Sequence, residues 1–87
     1  MIIEPDADLE LAAQRCAAGG YGYAGQTCIS VQRVFVHASV AERFTAAFVA
    51  RVRALKAGDP AREETVVGPV INEAAAVRIE DWIGEAW

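Results

Sequence analysis

The sequence predicts an α/β fold in the order strand–helix–strand–helix–helix. Three observations lead to this prediction: an Ala- and Leu-rich segment from Leu9 to about Ala18, a β-branched and aromatic run at Ile29–Val36, and apolar residues at helical spacing between Phe44 and Leu55. Two strands are too few for an independent sheet. We therefore predict a slice of a larger parallel sheet.

The first strand and helix lie before residue 21. Met1–Glu4 is predicted to be the end of a strand, closed by Pro5, which has no N–H to donate to a ladder. Either Asp6 or Asp8 is expected to cap the helix that follows. Gly19-Gly20 is predicted to end that helix. Its apolar face comprises Leu9, Ala12, Ala13, Cys16 and Ala17.

A glycine-punctuated loop at residues 19–28 precedes the second strand, and its glycines at positions 19, 20, 22 and 25 allow positive φ. Toward the end of Ile29–Val36, apolar residues occupy both odd- and even-numbered positions. This pattern favours a strand that is buried on both faces. A strand–helix–strand unit of this length predicts a parallel pair with a right-handed crossover.

The second half is predicted to contain two helices. Ser39–Glu42 has the pattern of a capping box, and the helix behind it is predicted to stop at Gly58 and Pro60. Residues 61–71 are predicted to be irregular. Asn72 is expected to cap the last helix, in which Ala76, Ile79 and Ile83 share one face.

Composition excludes several classes of protein. The 87 residues are 54 % hydrophobic and 23 % charged, which excludes a disordered chain. A net charge of −4 gives no electrostatic footprint for nucleic acid or anionic lipid. No targeting signal or membrane span is recognisable, so we expect a soluble, cytoplasmic protein. The high apolar content of so short a chain predicts surfaces that something else covers.

Cys28 is the main candidate for chemistry. It lies between the glycine-rich loop and a strand, where ligands bind in α/β sheets, and a thiolate attacks carbonyl carbon well. The alternative is that it is a small buried hydrophobe, which is our interpretation of Cys16. An extended strand would hold His37 roughly 30 Å from Cys28, which excludes a papain-like pair. A single histidine predicts no metal site.

Several ordered motifs resemble one family. Gly25–Ser30, preceded by Tyr21 and Ala24, resembles the catalytic-cysteine signature of the NAD(P)-dependent aldehyde dehydrogenases. Further segments are similar to landmarks of that family and follow in the same order, at residues 5–10, 31–37, 55–60 and 67–71. The resemblance covers nearly all of the chain.

The resemblance implies a specific fold and reaction. Residues 1–87 would be part of a Rossmann-like aldehyde dehydrogenase catalytic domain, without the cofactor-binding and oligomerisation parts. The parent enzyme, by resemblance a homo-oligomer that binds NAD or NADP, would oxidise an aldehyde to a carboxylic acid through a cysteine thiohemiacetal and thioester. The isolated chain is predicted to be inactive, with no cofactor contact inside it.

The resemblance also assigns residues. Cys28 would be the nucleophile, its backbone N–H would contribute to the oxyanion hole, and Thr27 and Ile29 would line the substrate tunnel. Tyr23 departs from the family, which usually has Asn at this position. Ala75 and Arg78 stand where some members hold the cofactor ribose with Gln and Lys.

Two other functions remain open at this stage. A small non-enzymatic α/β interaction module would use the apolar surplus to pair with another chain. A thiol redox protein would oxidise Cys28 reversibly, although no resolving cysteine lies at a suggestive spacing.

Overall fold

The computed structural model describes residues 1–87 and confirms the predicted order of elements. In chain order these are β1 (Ile2–Ile3), α1 (Leu9–Tyr21), β2 (Phe35–Val36), α2 (Ala41–Arg53) and α3 (Glu73–Ala86). Short 3₁₀ turns at Gly22–Gly25 and Ala38–Val40 follow α1 and precede α2. The architecture is a small α/β unit with a two-stranded sheet.

The two strands are parallel, as predicted, with Ile2 opposite Phe35. The ladder includes the Phe35 N–H, which donates to the Met1 carbonyl at 2.9 Å, and the His37 N–H, which donates to the Ile3 carbonyl at 3.0 Å. Helix α1 connects the strands, so the parallel strand–helix–strand prediction is confirmed.

The second strand is shorter than the predicted Ile29–Val36. Only Phe35–Val36 is paired, because β1 offers no more than two residues as a partner. The N–H of Val31 instead donates to the carbonyl of Gly19, in α1. Burial on two faces is also wrong for this chain, since Phe35 is exposed while Val36 packs against the core.

The core lies between the sheet and the two helices α1 and α2. Its buried members are Ile3 from β1, Ala13 and Cys16 from α1, and Phe44 from α2. The rings of Phe44 and Phe48 stack with centroids 5.8 Å apart. The apolar faces predicted for both helices are therefore the faces that meet.

Two helix caps form as predicted. Asp8, rather than Asp6, caps α1, and its Oδ1 accepts the Leu11 N–H at 3.0 Å. Asn72 caps α3, and its Oδ1 accepts the Ala75 N–H at 2.9 Å. Both caps depend on residues three positions apart, so local sequence is sufficient to predict them.

The predicted capping box at Ser39–Glu42 is wrong. Val40 is the N-cap of α2 and makes no side-chain hydrogen bond there. His37 Nδ1 accepts the Ser39 N–H at 3.2 Å and lies 2.8 Å from Ser39 Oγ. The imidazole thus engages the serine that was expected to cap the helix.

Two helix ends also differ from the prediction. Helix α1 continues through Gly19-Gly20 to Tyr21, and Val31 lies against Gly19 in its last turn. Helix α2 ends at Arg53, before Gly58 and Pro60. The chain beyond α2 makes other hydrogen bonds, since the Lys56 carbonyl accepts the N–H groups of residues 66 and 67.

Residues 61–71 contain no helix and no regular strand, as predicted, and a single parallel bridge joins Val67 to Ala57. Helix α3 follows and buries only Ala75. None of the helices combines the length and the apolar composition that a membrane crossing would need.

Candidate active site

The segment Gly22–Ser30, which we term the cysteine loop, is anchored at both ends by α1. The Gly22 N–H donates to the carbonyl of Ala18 and closes the helix. On the far side, the Val31 N–H donates to the carbonyl of Gly19 at 3.0 Å. A Cβ built on Gly19 would lie 2.8 Å from Val31 Cγ2, so the close approach requires glycine.

Three consecutive residues of the cysteine loop are left-handed. Their φ angles are +52° at Tyr23, +54° at Ala24 and +76° at Gly25. Of the glycines expected to use positive φ, only Gly25 does so. The conformation costs a non-glycine residue about 1–2 kcal/mol, and strain of this kind is concentrated at functional sites.

Cys28 lies in a turn just after this run, and its side chain is exposed. The Ser30 N–H donates to the Thr27 carbonyl at 3.1 Å and closes the turn around it. The N–H of Cys28 donates to no group of this chain, and its Sγ makes no hydrogen bond. The residue therefore offers both a free thiol and a free backbone donor.

The two side chains predicted to flank the nucleophile differ in exposure. Thr27 is half-buried, whereas Ile29 is exposed. Neither Thr27, Ile29 nor Cys28 lines any of the four cavities of this chain. The three residues are neighbours on an open surface.

Cys16 is the opposite case. It lies in the core, and its thiol donates to the Sδ of Met1 at 3.1 Å. Burial raises the pKa of the Cys16 thiol above its ordinary value, and the N-terminal ammonium opposes this shift in part. A buried thiol held in the protonated form is not a nucleophile, which agrees with its interpretation as a small hydrophobe.

His37 follows β2 and is exposed, as expected for the end of a strand. Its Nδ1 faces Ser39, so this nitrogen is occupied by the local turn that precedes α2. The structure does not bring it into hydrogen-bond contact with Cys28. No group of three or more His, Cys, Asp or Glu side chains converges anywhere in the chain.

The largest cavity, about 660 Å³, lies beside the cysteine loop. It separates the loop from the segment between α2 and α3 and is lined by Gly22, Tyr23, Ala24, Gln26, Pro60, Thr65, Val66, Gly68 and Pro69. Sequence reasoning did not find it, although the turn residues Gly58, Pro60, Gly68 and Pro69 indicate where the chain reverses.

The residues present do not fit a dinucleotide. No basic side chain lines the cavity beside the loop, so the diphosphate would have no cationic partner there. The first turns of α1 and α3 contain Glu10 and Glu73, which repel an anion at the helix ends that could otherwise bind it. The cavity beside the cysteine loop and the first turns of α1 and α3 therefore do not fit the diphosphate of NAD(P).

Comparison with known proteins decides the family. A model described as "Aldehyde dehydrogenase family" matches residues 1–87. The chain belongs to the aldehyde dehydrogenase family. This confirms the predicted family. The vanillin dehydrogenase of Pseudomonas fluorescens is 43 % identical over 86 residues, which are 99 % of this chain and 18 % of that relative.

Solved family structures contain the same fold as a small part of a longer chain. An NADP-dependent glyceraldehyde-3-phosphate dehydrogenase from Bacillus halodurans, complexed with NADP, matches 94 % of this chain and 17 % of its own at a TM-score of 0.86 and 38 % identity. A NAD-dependent benzaldehyde dehydrogenase from Corynebacterium glutamicum matches 97 % of this chain and 18 % of its own at a TM-score of 0.87 and 39 % identity. The chain thus spans less than a fifth of these family members.

Proposed function

We propose that this chain is the part of an NAD(P)-dependent aldehyde dehydrogenase catalytic domain that provides the nucleophile, and that Cys28 is that nucleophile. The observation that supports it most directly is the exposed thiol of Cys28 on a strained loop, in a chain that matches the family over its whole length. The only other cysteine, Cys16, is buried.

The step assigned to this chain is the formation of a thiohemiacetal. The Cys28 thiolate attacks the aldehyde carbon, a carbon–sulfur bond forms, and the carbonyl π electrons move to oxygen. The free backbone N–H of Cys28 would donate to that oxygen, which then takes up a proton from solvent. Thr27 and Ile29 would contact the rest of the aldehyde from either side.

Oxidation of the adduct to a thioester, and its hydrolysis to the acid, belong in this proposal to the complete enzyme. Residues 1–87 would be a partial catalytic domain. The NAD(P)-binding and oligomerisation parts would belong to regions of the complete enzyme other than these residues. The proportion of the relatives that the chain spans, 17–18 %, supports this division. We further propose a cytoplasmic, homo-oligomeric parent enzyme that acts on a small-molecule aldehyde.

The assignment of Cys28 can be tested in a hybrid enzyme. Residues 1–87 replace the matched segment of the Pseudomonas fluorescens vanillin dehydrogenase, and NAD(P)H formation from aldehydes is followed by absorbance. We expect Cys28→Ala to lower the rate by roughly a thousandfold or more, whereas Cys16→Ala retains it. Retention of the rate by the Cys28→Ala hybrid would contradict the assignment.

A second measurement concerns the chain alone. We expect no steady NAD(P)H formation when the purified 87-residue chain is incubated with NAD(P) and a panel of aldehydes. We also expect alkylation to modify Cys28 in the native chain and Cys16 only after unfolding. Sustained NAD(P)H formation would show that the proposed division between chain and parent enzyme is wrong.

A non-enzymatic interaction module is the second candidate, favoured by the exposed apolar side chains on the sheet and on α3, such as Ile2, Phe35 and Trp82. It predicts a folded, monodisperse oligomer of this chain without any dehydrogenase partner. Size-exclusion chromatography with light scattering measures this directly. A monomer, or a non-specific aggregate, would contradict a module that pairs with copies of itself.

A further inference from the structure

The cysteine loop is attached to α1 by one backbone hydrogen bond at each end. At its start, the Gly22 N–H donates to the Ala18 carbonyl, six residues before Cys28. Beyond its end, the Val31 N–H donates to the Gly19 carbonyl at 3.0 Å, and Val31 is three residues after Cys28. Because three residues span at most about 11 Å of extended chain, the position of Cys28 follows that of Val31 more closely than that of Gly22.

The turn that contains Cys28 has little other support in this chain. The Ser30 N–H donates to the Thr27 carbonyl at 3.1 Å, which is a bond within the turn. The N–H groups of Cys28 and Ile29 donate to no backbone carbonyl, and both residues are exposed. Val31 is therefore the first residue after Cys28 whose backbone N–H is bonded outside the loop.

The side chain and carbonyl of Val31 also fit closely against the last turn of α1. A Cβ built on Gly19 would stand 2.8 Å from Val31 Cγ2, and one built on Gly20 would stand 3.3 Å from the Val31 carbonyl oxygen. We term these contacts of Val31 with Gly19 and Gly20 the clasp. A β-branched side chain has little freedom about χ1, so the contact fixes the Val31 backbone as well as its methyl groups.

The loop that the clasp closes has a conformation that its residues do not favour. Tyr23 and Ala24 have φ angles of +52° and +54°, in the left-handed region. Backbone strain of this kind persists only where the surrounding structure over-determines it. Release of one end of the loop is therefore expected to let these residues relax, and the turn at residues 27–30 to move with them.

We propose that Val31 is a positioning residue for the nucleophile: through the clasp it fixes the turn that presents the Cys28 thiol and the Cys28 N–H to the aldehyde. Val31 touches no reacting atom and acts through the backbone of residues 28–30. The inference rests on the proposed function, because that function makes Cys28 the nucleophile. A misplacement of about 1 Å at a reacting group can lower a rate by roughly a hundredfold, which sets the scale of the expected effect.

Two valines of this chain provide a matched pair of substitutions. Val31 and Val34 are both half-buried and both pack against the same core, but Val34 takes no part in the clasp. Val31→Ala and Val34→Ala remove the same two methyl groups, so we expect them to lower the Tm by similar amounts. Thermal unfolding followed by circular dichroism measures this in the hybrid vanillin dehydrogenase.

Steady-state kinetics of the two hybrids separate positioning from stability. We expect Val31→Ala to lower kcat and kcat/KM by the same factor, about 10- to 100-fold, with KM within about twofold of the unsubstituted hybrid. We expect Val34→Ala to keep kcat within about twofold. Equal values of kcat for the two hybrids would overturn the inference.

Val31→Thr is the conservative variant that should restore the rate. Threonine keeps the branched shape that meets Gly19, although its hydroxyl in a half-buried position is expected to lower the Tm. We expect this hybrid to retain kcat within about threefold despite the lower Tm. A loss of kcat as large as that of Val31→Ala would overturn the inference, because shape at the clasp would then not control the rate.

A measurement on the 87-residue chain tests the clasp if the hybrid does not fold. Backbone order parameters of residues 27–30 are obtained from ¹⁵N relaxation. We expect values near about 0.85 in the unsubstituted chain and in Val34→Ala, and values below about 0.6 in Val31→Ala. Low order parameters in the unsubstituted chain, or equal values in the two variants, would overturn the inference.

Failure of this inference and failure of the proposed function are distinguishable. If Cys28 is the nucleophile but the clasp does not position it, the Cys28→Ala hybrid loses NAD(P)H formation while the Val31→Ala and Val34→Ala hybrids have equal kcat. If Cys28 is not the nucleophile, the Cys28→Ala hybrid itself keeps its rate.

Discussion

Gly19 and Val31 are in direct contact across the neck of the cysteine loop. The N–H of Val31 donates to the carbonyl of Gly19 at 3.0 Å, and a Cβ on Gly19 would stand 2.8 Å from Val31 Cγ2. The contact closes the loop that contains Cys28 onto the last turn of α1. Loss of this contact is therefore expected to affect both stability and the conformation of the loop.

Gly19→Ala is expected to destabilise the chain by about 1–3 kcal/mol, because the new methyl group overlaps a stiff β-branched side chain. Gly22→Ala is the matched control, since nothing lies within 4 Å of a Cβ at that position and its φ is −54°. The control is expected to change the free energy of unfolding by less than about 0.5 kcal/mol. Urea unfolding followed by circular dichroism measures the free energy of unfolding of the two variants. Equal effects of Gly19→Ala and Gly22→Ala would contradict the contact between Gly19 and Val31.

Ala24→Gly is expected to stabilise the chain by up to about 1 kcal/mol, because Ala24 has a left-handed backbone with φ +54°. The same substitution at Ala18, inside α1, is expected to destabilise by about 0.5–1 kcal/mol, since glycine is a poor helix former. Urea unfolding of the two variants checks the sign of each effect. Destabilisation by Ala24→Gly comparable to that by Ala18→Gly would argue against a left-handed residue 24.

Cys16 is expected to make stability decline at alkaline pH. Burial raises its folded-state pKa above the ordinary 9.0, so between the unfolded and folded values the unfolded chain releases a proton that the folded chain keeps. Its contribution is fully present below the unfolded pKa and is lost as pH rises through the folded pKa. We expect the free energy of unfolding to decline less steeply with pH in Cys16→Ala than in Cys28→Ala. Identical slopes would contradict a raised pKa of Cys16 in the folded chain.

Asn72→Ala is expected to reduce the helicity of α3 and to lower its stability by about 0.5–2 kcal/mol, because the Ala75 N–H loses its side-chain acceptor at 2.9 Å and keeps only the backbone carbonyl of residue 72 at 3.2 Å. Ser39→Ala is the comparison, since Val40 is the N-cap of α2 and has no side-chain bond. We expect its effect to stay below about 0.5 kcal/mol. Helical ellipticity at low temperature measures the effect of each substitution. A larger loss of helicity from Ser39→Ala than from Asn72→Ala would support the capping box at Ser39–Glu42.

Features that depend on a few neighbouring residues were predictable. Asp8 and Asn72 cap their helices because the carboxylate or amide oxygen reaches an N–H three residues ahead. The burial of Cys16 and Phe44 follows from the helical period of apolar residues around them. The same reasoning failed at Ser39, where an imidazole two residues earlier competes for the serine.

The cysteine loop shows where prediction from sequence stops. The glycines indicated a loop, but they did not indicate that Gly19 and Gly20 stay helical or that Tyr23 and Ala24 adopt the left-handed conformation. Composition alone assigns positive φ to glycine first. Here the return of Val31 to the end of α1 sets the path of the loop, and the residues between follow it.

The order of the elements, the apolar faces of α1 and α2, two of the caps and the resemblance to the family were all predictable from the amino-acid sequence. Each of these depends on residue type within a few positions along the chain. The length of β2, the ends of α1 and α2, and the conformation of residues 23–25 were not predictable in this way and depend on contacts between distant parts of the chain. The physical reason is that backbone N–H and carbonyl groups need hydrogen-bond partners. Tertiary packing determines which partner lies within reach.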